Sequence, residues 1–374
     1  MATLTPGLDV SVSAIVQAWR ARFVENGVPL DDYERTCARI VSWADWCAEW
    51  EQTAAEHEAE ACAAERQGRH LTAAELWLLA ALAHHYAKFL FVHDTDQLRR
   101  AQARAVGAYR HAAPHLPWPC ERVGIGYLGT TLPGYLRLPD VPHGNEPAGG
   151  AAGDAPWPVV IVVPGLDATK EEMHRFQEVF LRRGMATLSF DGPGQGEVEF
   201  DLPIQPDWEV VASAAVDELE MRPEIDSSRV GVAGVSLGGY YAARAAIGEP
   251  RVTAAACLGG CYSLGDCWAE LPPLSRQAFA MRSHSADMAA AETYARRITM
   301  DSAPGPFVRP MLVVHGRQDR LFGEDQARRL ADRAGHHGTL VMEDNGDHVC
   351  HSLAYRVRPM IADWMADQLR LRGA

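Results

Sequence analysis

The 374-residue sequence lacks an excess of basic residues, a long apolar run and a regular set of cysteines. Its 35 Lys and Arg face 49 Asp and Glu, a formal net charge of −14, which argues against nucleic acid or anionic lipid as a partner because both need clustered positive charge. The apolar runs are long enough for buried strands but too short to cross a bilayer. The eight cysteines form no Cys-x-x-Cys pair, so we expect free thiols.

The N-terminal segment has no basic stretch followed by an unbroken apolar core, so no signal peptide is predicted. The missing signal-peptide pattern and the expected free thiols together favour the reducing cytoplasm as the location of the protein. A hydrophobic content of 47% and a charged content of 22% are typical of a soluble globular enzyme.

The chain divides into two regions of different pattern. Residues 1–117 carry helical patterns, with Trp and Leu at three- and four-residue spacing, which predicts four or five helices packed on one another. In residues 118–374, short apolar runs alternate with helical stretches, the pattern of a mostly parallel α/β sheet. The interval at about 261–309 is too long for a simple crossover, so we predict an inserted helical lid there. The Gly/Pro/Ala-rich stretch 144–158 predicts a loop.

Eight strands are predicted in the second region. "RVGIGYLG" and "LPGYLRLP" are expected to pair as antiparallel strands, and six apolar runs follow them. These runs are 158–163, 185–190, 229–234, 252–259, 310–316 and 339–344. The predicted fold is a mostly parallel eight-stranded sheet flanked by helices.

Ser236 lies at the centre of a Gly-x-Ser-x-Gly motif, between a predicted strand and a predicted helix. Gly234 and Gly238 permit a sharp turn that exposes the serine hydroxyl at a helix N-terminus. The backbone N–H of Leu237 then faces the anion that forms when the serine attacks a carbonyl group. A purely structural turn is the alternative, and the strand before and the helix after the motif favour a nucleophile.

A serine hydroxyl becomes a nucleophile only when a base takes its proton. Asp319 and His348 follow later strands in the order acid, then base, that this strand–turn–helix motif requires. Asp325 is a weaker acid candidate inside the next predicted helix, and His315 is interpreted as a structural turn residue. The second N–H of an oxyanion hole is predicted at Leu166, in the loop after the third strand.

His348 and His351 are three residues apart and flanked by carboxylates, which is also compatible with a metal site. A catalytic zinc site needs a third ligand and an open position, and the sequence supplies neither. We therefore predict that His348 is a base and that His351 caps the closing helix or contacts the base from behind. No phosphate-binding or dinucleotide motif is present, so neither a cofactor nor a metal is expected.

The segments "PGLDATKEE", "GMATLSFDGPGQGE", "GVSLGGYYA", "HGRQD" and "GDHVCH" together resemble the α/β-hydrolase group containing 2,6-dihydroxypseudooxynicotine hydrolase, which is similar to the fermentation-respiration-switch type esterases. The resemblance runs from about residue 120 to the end, and more loosely over the N-terminal helices. It implies an α/β-hydrolase fold with residues 1–117 as a cap over the active site. It also implies Ser236 as nucleophile, Asp319 as acid and His348 as base, and a homodimer.

Members of the group nearest this sequence hydrolyse a carbon–carbon bond next to a ketone, and others cleave esters. The leading hypothesis is therefore hydrolysis of a β-diketone or aryl ketone, with a carboxylesterase or thioesterase and an acyl-transferring cyclase as alternatives that use the same acyl-serine. A non-catalytic binding protein on this scaffold predicts a broken triad, whereas all three members are present.

Six residues near the predicted site are candidates for contact with the small ketone or ester substrate. For the cap residues His85, Lys88 and Phe89, and for Tyr240 and Trp268, packing in the protein interior is the alternative interpretation. The candidates are Gly165, Tyr240, Trp268, His85, Lys88 and Phe89.

Overall fold

The computed structural model describes residues 12–139 and 156–370. Most of the stretch predicted as a loop at 144–158 lies outside the described residues. At Trp157 the loop prediction is wrong, because the strand predicted at 158–163 begins one residue earlier, and the Trp157 amide donates to the Glu224 carbonyl oxygen at 2.8 Å.

Within the described residues the chain forms the following α-helices: α1 Val12–Asn26, α2 Leu30–Arg39, α3 Trp46–Arg66, α4 His70–Ala87, α5 Thr95–Ala112, α6 His174–Leu181, α7 Glu209–Glu220, α8 Leu237–Gly248, α9 Leu264–Cys267, α10 Pro273–Arg282, α11 Met288–Ala295, α12 Glu324–Ala334 and α13 Ala354–Arg370. The strands are β1 Cys120–Tyr127, β2 Thr130–Arg137, β3 Trp157–Val163, β4 Ala186–Phe190, β5 Ile225–Val235, β6 Val252–Leu258, β7 Met311–Gly316 and β8 Gly338–Glu343.

The strands form one sheet in the order β1-β2-β4-β3-β5-β6-β7-β8. β1 pairs with β2, and β2 with β4, in antiparallel register, and the remaining pairs are parallel. The predicted mostly parallel eight-stranded sheet is therefore confirmed. Its parallel strands end at a common edge, which brings the loops after β3, β5, β7 and β8 together.

Both faces of the sheet are covered, which explains why the central strands are apolar without interruption. In β3, Val159, Ile161 and Val163 face a core that includes α7 and α8. Val160 and Val162 face the opposite core, which includes α6 and α13. This alternation follows from the two-residue period of a strand.

Helices α1–α5 form a helical cap whose core is aromatic. Phe23 stacks on Tyr86 with ring centroids 3.7 Å apart, and Trp46 and Trp50 pack around them. Leu274 of α10 joins the same cluster. Helices α9–α11 lie between β6 and β7, where the lid was predicted, so the cap packs on the lid as well as on the sheet domain. The domain boundary at 117/118 stays a prediction.

Within residues 12–139 and 156–370, no helix combines the length and apolar character needed to cross a bilayer. All eight cysteines lie in these ranges, and each is a free thiol.

Candidate active site

Ser236 occupies a strained turn between β5 and α8. Its backbone has φ 56° and ψ −124°, a region that residues with a Cβ rarely adopt, so the surrounding packing must hold it there. The flanking glycines allow that packing, because a Cβ on Gly234 would collide with the backbone of Gly238, and one on Gly238 with the carbonyl oxygen of Val163. The turn therefore presents the Ser236 hydroxyl at the N-terminus of α8.

Ser236, His348 and Asp319 form a continuous chain of hydrogen bonds. The Ser236 Oγ lies 2.9 Å from His348 Nε2, and His348 Nδ1 lies 2.7 Å from Asp319 Oδ2. Because an ionised carboxylate only accepts, Nδ1 donates to Asp319, which leaves Nε2 to accept from the serine hydroxyl. The three residues are far apart in the chain, and the geometry is one in which the hydroxyl can lose its proton to the imidazole.

Asp319 is buried and held in its charged form. Its Oδ1 accepts from the amides of Leu321 at 2.8 Å and Phe322 at 3.1 Å. Burial disfavours the charge, but His348 and these hydrogen bonds hold the pKa of the Asp319 carboxyl below its usual range. The carboxylate can therefore fix the orientation of the imidazole at neutral pH.

The two weaker sequence candidates have other partners. Asp325 lies in α12 and accepts from Gln326 Nε2 at 2.8 Å. The His315 ring lies 3.1 Å from the Phe322 carbonyl oxygen through Nε2, which ties the end of β7 to the loop that carries Asp319. Neither hydrogen-bonds to His348, and His315 occupies the structural position predicted for it.

The amides of Leu166 and Leu237, predicted as oxyanion donors, both belong to residues that line the cavity in front of Ser236. Within the described residues, neither amide donates a hydrogen bond to another group. Leu237 is the first residue of α8, where backbone N–H groups have no partner inside the helix. Two donors are thus available beside the nucleophile.

Gln195 is a residue of the site that the sequence did not predict. Its Nε2 donates to the carbonyl oxygens of Pro164 and Gly165, each at 2.8 Å, while its Oε1 accepts from the Gly192 amide at 3.1 Å. The side chain thereby holds the loop that presents the Leu166 amide. Gln195 lies in the glycine-rich segment "SFDGPGQGE" after β4, which carries no pattern that marks this role.

An apolar cavity lies between the sheet domain, the lid and the cap. Trp19 of α1 meets the His348 ring edge-on at 6.1 Å, and Phe322 meets the same ring at 5.5 Å from another side. Trp19 of the cap and Phe322 of the loop after β7 thus cover the imidazole, whose side chain is only 10% exposed. The apolar residues lining the cavity include Trp19, Leu90, Leu264, Leu271, Phe279 and Phe322.

One side of the cavity is polar. We call it the polar wall and define it as Arg22, Asn26, Asp167, Glu172, His351 and Arg358, all of which line the cavity. Arg22 donates to both carboxylate oxygens of Glu172, each at 2.7 Å, and to Asp167 at 2.8 Å. Asn26 donates to Glu172 at 2.6 Å. The wall joins cap helix α1 to the loop after β3. Arg22 and Glu172 are 150 residues apart, and no local pattern predicts such a pairing.

His351 lies in the polar wall. Of the two roles predicted for it, the cap of the closing helix is wrong, because its side chain bonds to no described residue there, and the contact with His348 from behind stays a prediction. It belongs to a short 3-10 segment, His348–Leu353, that precedes α13. Val349 and Cys350 have φ angles of 61° and 49°, so the chain turns sharply between the two histidines. His348 therefore meets Ser236, while the His351 side chain lines the cavity and makes no hydrogen bond to the described residues.

The predicted contact residues of α4 and its C-terminus lie behind the cavity lining. His85 bonds to Glu172 at 2.8 Å and so supports the polar wall from outside. Lys88 is fully buried and pairs with Glu199 at 3.2 Å. Phe89 packs against Trp19 with ring centroids 5.3 Å apart. These residues connect the cap to the sheet domain and reach the cavity through their neighbours.

Of the remaining predicted contact residues, only Gly165 belongs to the described cavity lining. The Tyr240 hydroxyl donates to the Pro206 carbonyl oxygen at 2.9 Å, and Trp268 packs edge-on against Phe279 at 5.6 Å. Tyr240 and Trp268 are buried and do not belong to the lining.

Across the described ranges, no three His, Cys, Asp or Glu side chains are grouped as a metal site requires. Of the two histidines that raised the metal question, His348 bonds to Ser236 and Asp319, whereas His351 lies in the polar wall.

Comparisons with known proteins give the family and the fold of the chain. The family described as "Esterase FrsA-like" matches residues 32–297 of the chain. The chain is 36% identical over 354 residues to the 2,6-dihydropseudooxynicotine hydrolase of Paenarthrobacter nicotinovorans. That alignment covers 93% of this chain and 91% of that protein. It is 29% identical over 282 residues to the esterase FrsA of Vibrio cholerae, covering 69% of this chain and 63% of that one.

A solved structure extends the likeness to the whole fold. The crystal structure of the 2,6-dihydroxy-pseudo-oxynicotine hydrolase superposes with a TM-score of 0.84 at 34% identity and covers 94% of this chain and 95% of that one. The helical N-terminal region is included in that coverage.

Proposed function

The chain belongs to the FrsA-like esterase family of α/β hydrolases, and from that premise we propose that it hydrolyses a carbon–carbon bond next to a ketone. The substrate would be a β-diketone or an aryl ketone. The observation that carries the proposal is the hydrogen-bonded chain from Ser236 through His348 to Asp319, which opens into an apolar cavity under the helical cap. The group of enzymes that the sequence resembles cleaves bonds of this kind.

In the first half of the proposed reaction, Ser236 Oγ bonds to the ketone carbon while its proton passes to His348 Nε2. The carbonyl oxygen becomes an oxyanion that accepts from the amides of Leu237 and Leu166. When the oxyanion collapses, the carbon–carbon bond breaks and its electron pair leaves with the departing carbon. Protonated His348 then gives its proton to that carbon, which releases a ketone or arene and leaves an acyl-serine.

In the second half, His348 takes a proton from water as the water oxygen attacks the acyl-serine. The acyl–oxygen bond breaks, the proton returns to Ser236, and a carboxylic acid leaves. Asp319 stabilises the protonated imidazole in both halves. One water is consumed and no cofactor takes part in these steps.

Ester hydrolysis is the second candidate function. The match to an esterase family over residues 32–297 and the identity to the Vibrio cholerae esterase favour it. It uses the same groups on a better leaving group, because an alkoxide or thiolate needs no neighbouring carbonyl to hold its charge. The two functions therefore differ in the leaving group and not in the nucleophile.

The experiment is a turnover assay of the purified full-length protein on a panel of aryl β-diketones and on nitrophenyl esters with the same acyl groups. We expect each diketone to yield one carboxylic acid and one ketone. Ser236→Ala and His348→Ala should each lose at least about a thousandfold in kcat/KM, as removal of a triad member does in other serine hydrolases. A fluorophosphonate should label the wild type and not Ser236→Ala.

Fast ester turnover without any diketone cleavage would leave esterase as the function. Absence of fluorophosphonate labelling at Ser236 would exclude both functions. A homodimer and a cytoplasmic location stay predictions from the sequence.

A further inference from the structure

Arg358 of α13 is a buried guanidinium without a carboxylate partner. Among the residues that the structure describes, no Asp or Glu carboxylate oxygen lies within ion-pair distance of it, and it is only 9% exposed. Its Nη1 donates to the backbone carbonyl oxygen of Glu25 at 3.5 Å. Its Nη2 donates to Asn26 Oδ1 at 2.7 Å, and its guanidinium lies 5.7 Å from the centre of the Phe176 ring. Buried charges are usually paired, because leaving water is costly for an isolated ion. Since Arg358 lines the cavity, a negative charge on a bound molecule would supply the missing partner.

His351 stands beside Arg358 with unused hydrogen-bonding capacity. Its side chain is buried, and its Nδ1 has no partner within residues 12–139 and 156–370. Burial and the nearby guanidinium groups of Arg358 and Arg22 hold the pKa of the His351 imidazole well below its usual range. The ring is therefore neutral at physiological pH, with one N–H to donate and one nitrogen to accept.

The other members of the polar wall have no capacity to spare for an anion. Glu172 and Asp167 are carboxylates, which repel negative charge. The guanidinium of Arg22 is directed at these two carboxylates. The Asn26 amide group donates to Glu172, and its oxygen accepts from Arg358. An anionic oxygen at the polar wall would thus bind to Arg358 and His351.

We propose that Arg358 and His351 form a subsite for the enolate oxygen of the fragment that leaves when the carbon–carbon bond of a β-diketone breaks. This inference rests on the proposed function and concerns the same cavity. The oxyanion of the acyl half has its own donors at Leu166 and Leu237. The negative charge of the leaving half needs separate donors, and the polar wall supplies them.

The charge moves as follows in the proposed step. In a β-diketone, the electron pair of the broken carbon–carbon bond passes onto the leaving carbon and, by conjugation, onto the carbonyl oxygen of the second ketone. Arg358 and His351 donate hydrogen bonds to that oxygen. When His348 delivers its proton to the carbon, the electron pair returns from the oxygen and the neutral product forms. No further reactant is needed.

The test compares a β-diketone with a nitrophenyl ester that carries the same acyl group, because the ester has no enolate to stabilise. Arg358→Met removes the charge and keeps an unbranched apolar chain, and His351→Phe keeps a ring without nitrogen. In each variant we expect the ratio of diketone to ester kcat/KM to fall about 10- to 100-fold, the usual loss for a hydrogen bond to a charged group. Arg358→Lys, which keeps the charge, should recover part of the ratio.

Arg356→Met is the matched control. Arg356 lies on the same helix, pairs with Glu343 outside the cavity lining, and is 54% exposed. Its substitution makes the same chemical change and should leave the ratio unchanged. An unchanged ratio in both Arg358→Met and His351→Phe would overturn the subsite.

A binding measurement gives a second readout that does not depend on turnover. In a Ser236→Ala background, 1-phenyl-1,3-butanedione is titrated into the protein and its absorption is followed from low to high pH. We expect the bound diketone to ionise to the enolate at lower pH than the free compound. Arg358→Met should reduce this shift. If Arg358→Met does not fold, Arg358→Lys and His351→Phe replace it, and each should also reduce the shift. Ionisation at the same pH as in solution would overturn the subsite.

The two proposals fail in different ways. If the wild type cleaves diketones but neither the ratio nor the enolate shift responds to the substitutions, the subsite is wrong and the function stands. If the wild type cleaves esters and no diketone, the proposed function is wrong, and the subsite falls with it.

Discussion

Gly165 lies directly against Ser236. A methyl group built on Gly165 would be 3.1 Å from the Ser236 Cβ and 3.6 Å from the Ser236 Oγ. It would also lie 3.1 Å from the carbonyl oxygen of Val235, so it would press on the backbone of the nucleophile turn. Any side chain at this position would therefore separate Ser236 from the loop that presents the Leu166 amide.

Gly165→Ala should lower kcat/KM about 10- to 100-fold, because a small displacement of an aligned group is costly to catalysis. The unfolding midpoint should change little, since a shift of a few tenths of an ångström relieves the contact. The measurement is kcat/KM on the best substrate of the wild type, with a thermal melt of each variant. Gly107→Ala in α5 is the control, because a methyl group there meets nothing within 4 Å; it should keep full activity. Equal activities of the two variants would show that the close approach has no role.

Gln195→Glu tests the positioning of the same loop. Glutamate has the shape of glutamine but cannot donate, and its charge would face the two carbonyl oxygens that Gln195 Nε2 now holds at 2.8 Å. We expect kcat to fall about 10- to 100-fold with KM nearly unchanged, because the Leu166 amide would leave the position of the oxyanion. Gln52→Glu on the exposed face of α3 is the matched control. A rise in KM at constant kcat would contradict a positioning role and indicate a binding one.

The sheet and the hydrogen-bonded chain at its edge could be predicted because each depends on local sequence. Uninterrupted apolar runs mark the parallel strands, and the residues that follow parallel strands meet at one edge of the sheet. Ser236, Asp319 and His348 each follow such a run, so their order along the chain was enough to bring them together.

The polar wall could not be predicted, because its members are brought together only by the docking of the cap. Arg22 and Glu172 are 150 residues apart, and Asn26 and Arg358 are 332 apart. His351 was interpreted as a helix cap because it stands before the closing helix. The positive φ angles at Val349 and Cys350 turn it into the cavity instead, and no residue type at those positions signals such a turn.

Ser236→Gly and Ser236→Ala should differ in stability although both are inactive. At φ 56° and ψ −124° any Cβ is strained, and glycine removes that strain. We expect the free energy of unfolding of Ser236→Gly to exceed that of Ser236→Ala by about 1 kcal/mol, measured by urea unfolding of both variants. Leu128 is a positive control outside the site: it is 84% exposed with φ 45°, so Leu128→Gly should also be more stable than Leu128→Ala. If the glycine variant is the more stable one at Leu128 but the alanine variant is the more stable one at Ser236, the turn at Ser236 is not strained.

Glu172 gives a prediction on pH dependence, because it joins the cap to the sheet domain. It is 1% exposed and accepts from Arg22, Asn26 and His85. Burial alone would raise the pKa of the Glu172 carboxyl, but the charges and hydrogen bonds of Arg22 and His85 hold it well below its usual range. The folded pKa is thus lower than the unfolded one, about 4.3. The ionised carboxylate therefore contributes its full stabilisation above that value, and the contribution is lost as the pH falls through the folded pKa.

Glu172→Gln should accordingly lower the free energy of unfolding at pH 7 by about 3–5 kcal/mol, because it leaves the Arg22 guanidinium buried without its main partner. The difference from the wild type should shrink as the pH is lowered below about 4, measured by urea unfolding at a series of pH values. Glu34→Gln is the control, since Glu34 pairs with Arg20 where both side chains are more than half exposed, and such a pair contributes about 1 kcal/mol or less. A difference that stays constant between pH 7 and pH 3 would mean that Glu172 stabilises the cap by packing and not by its charge.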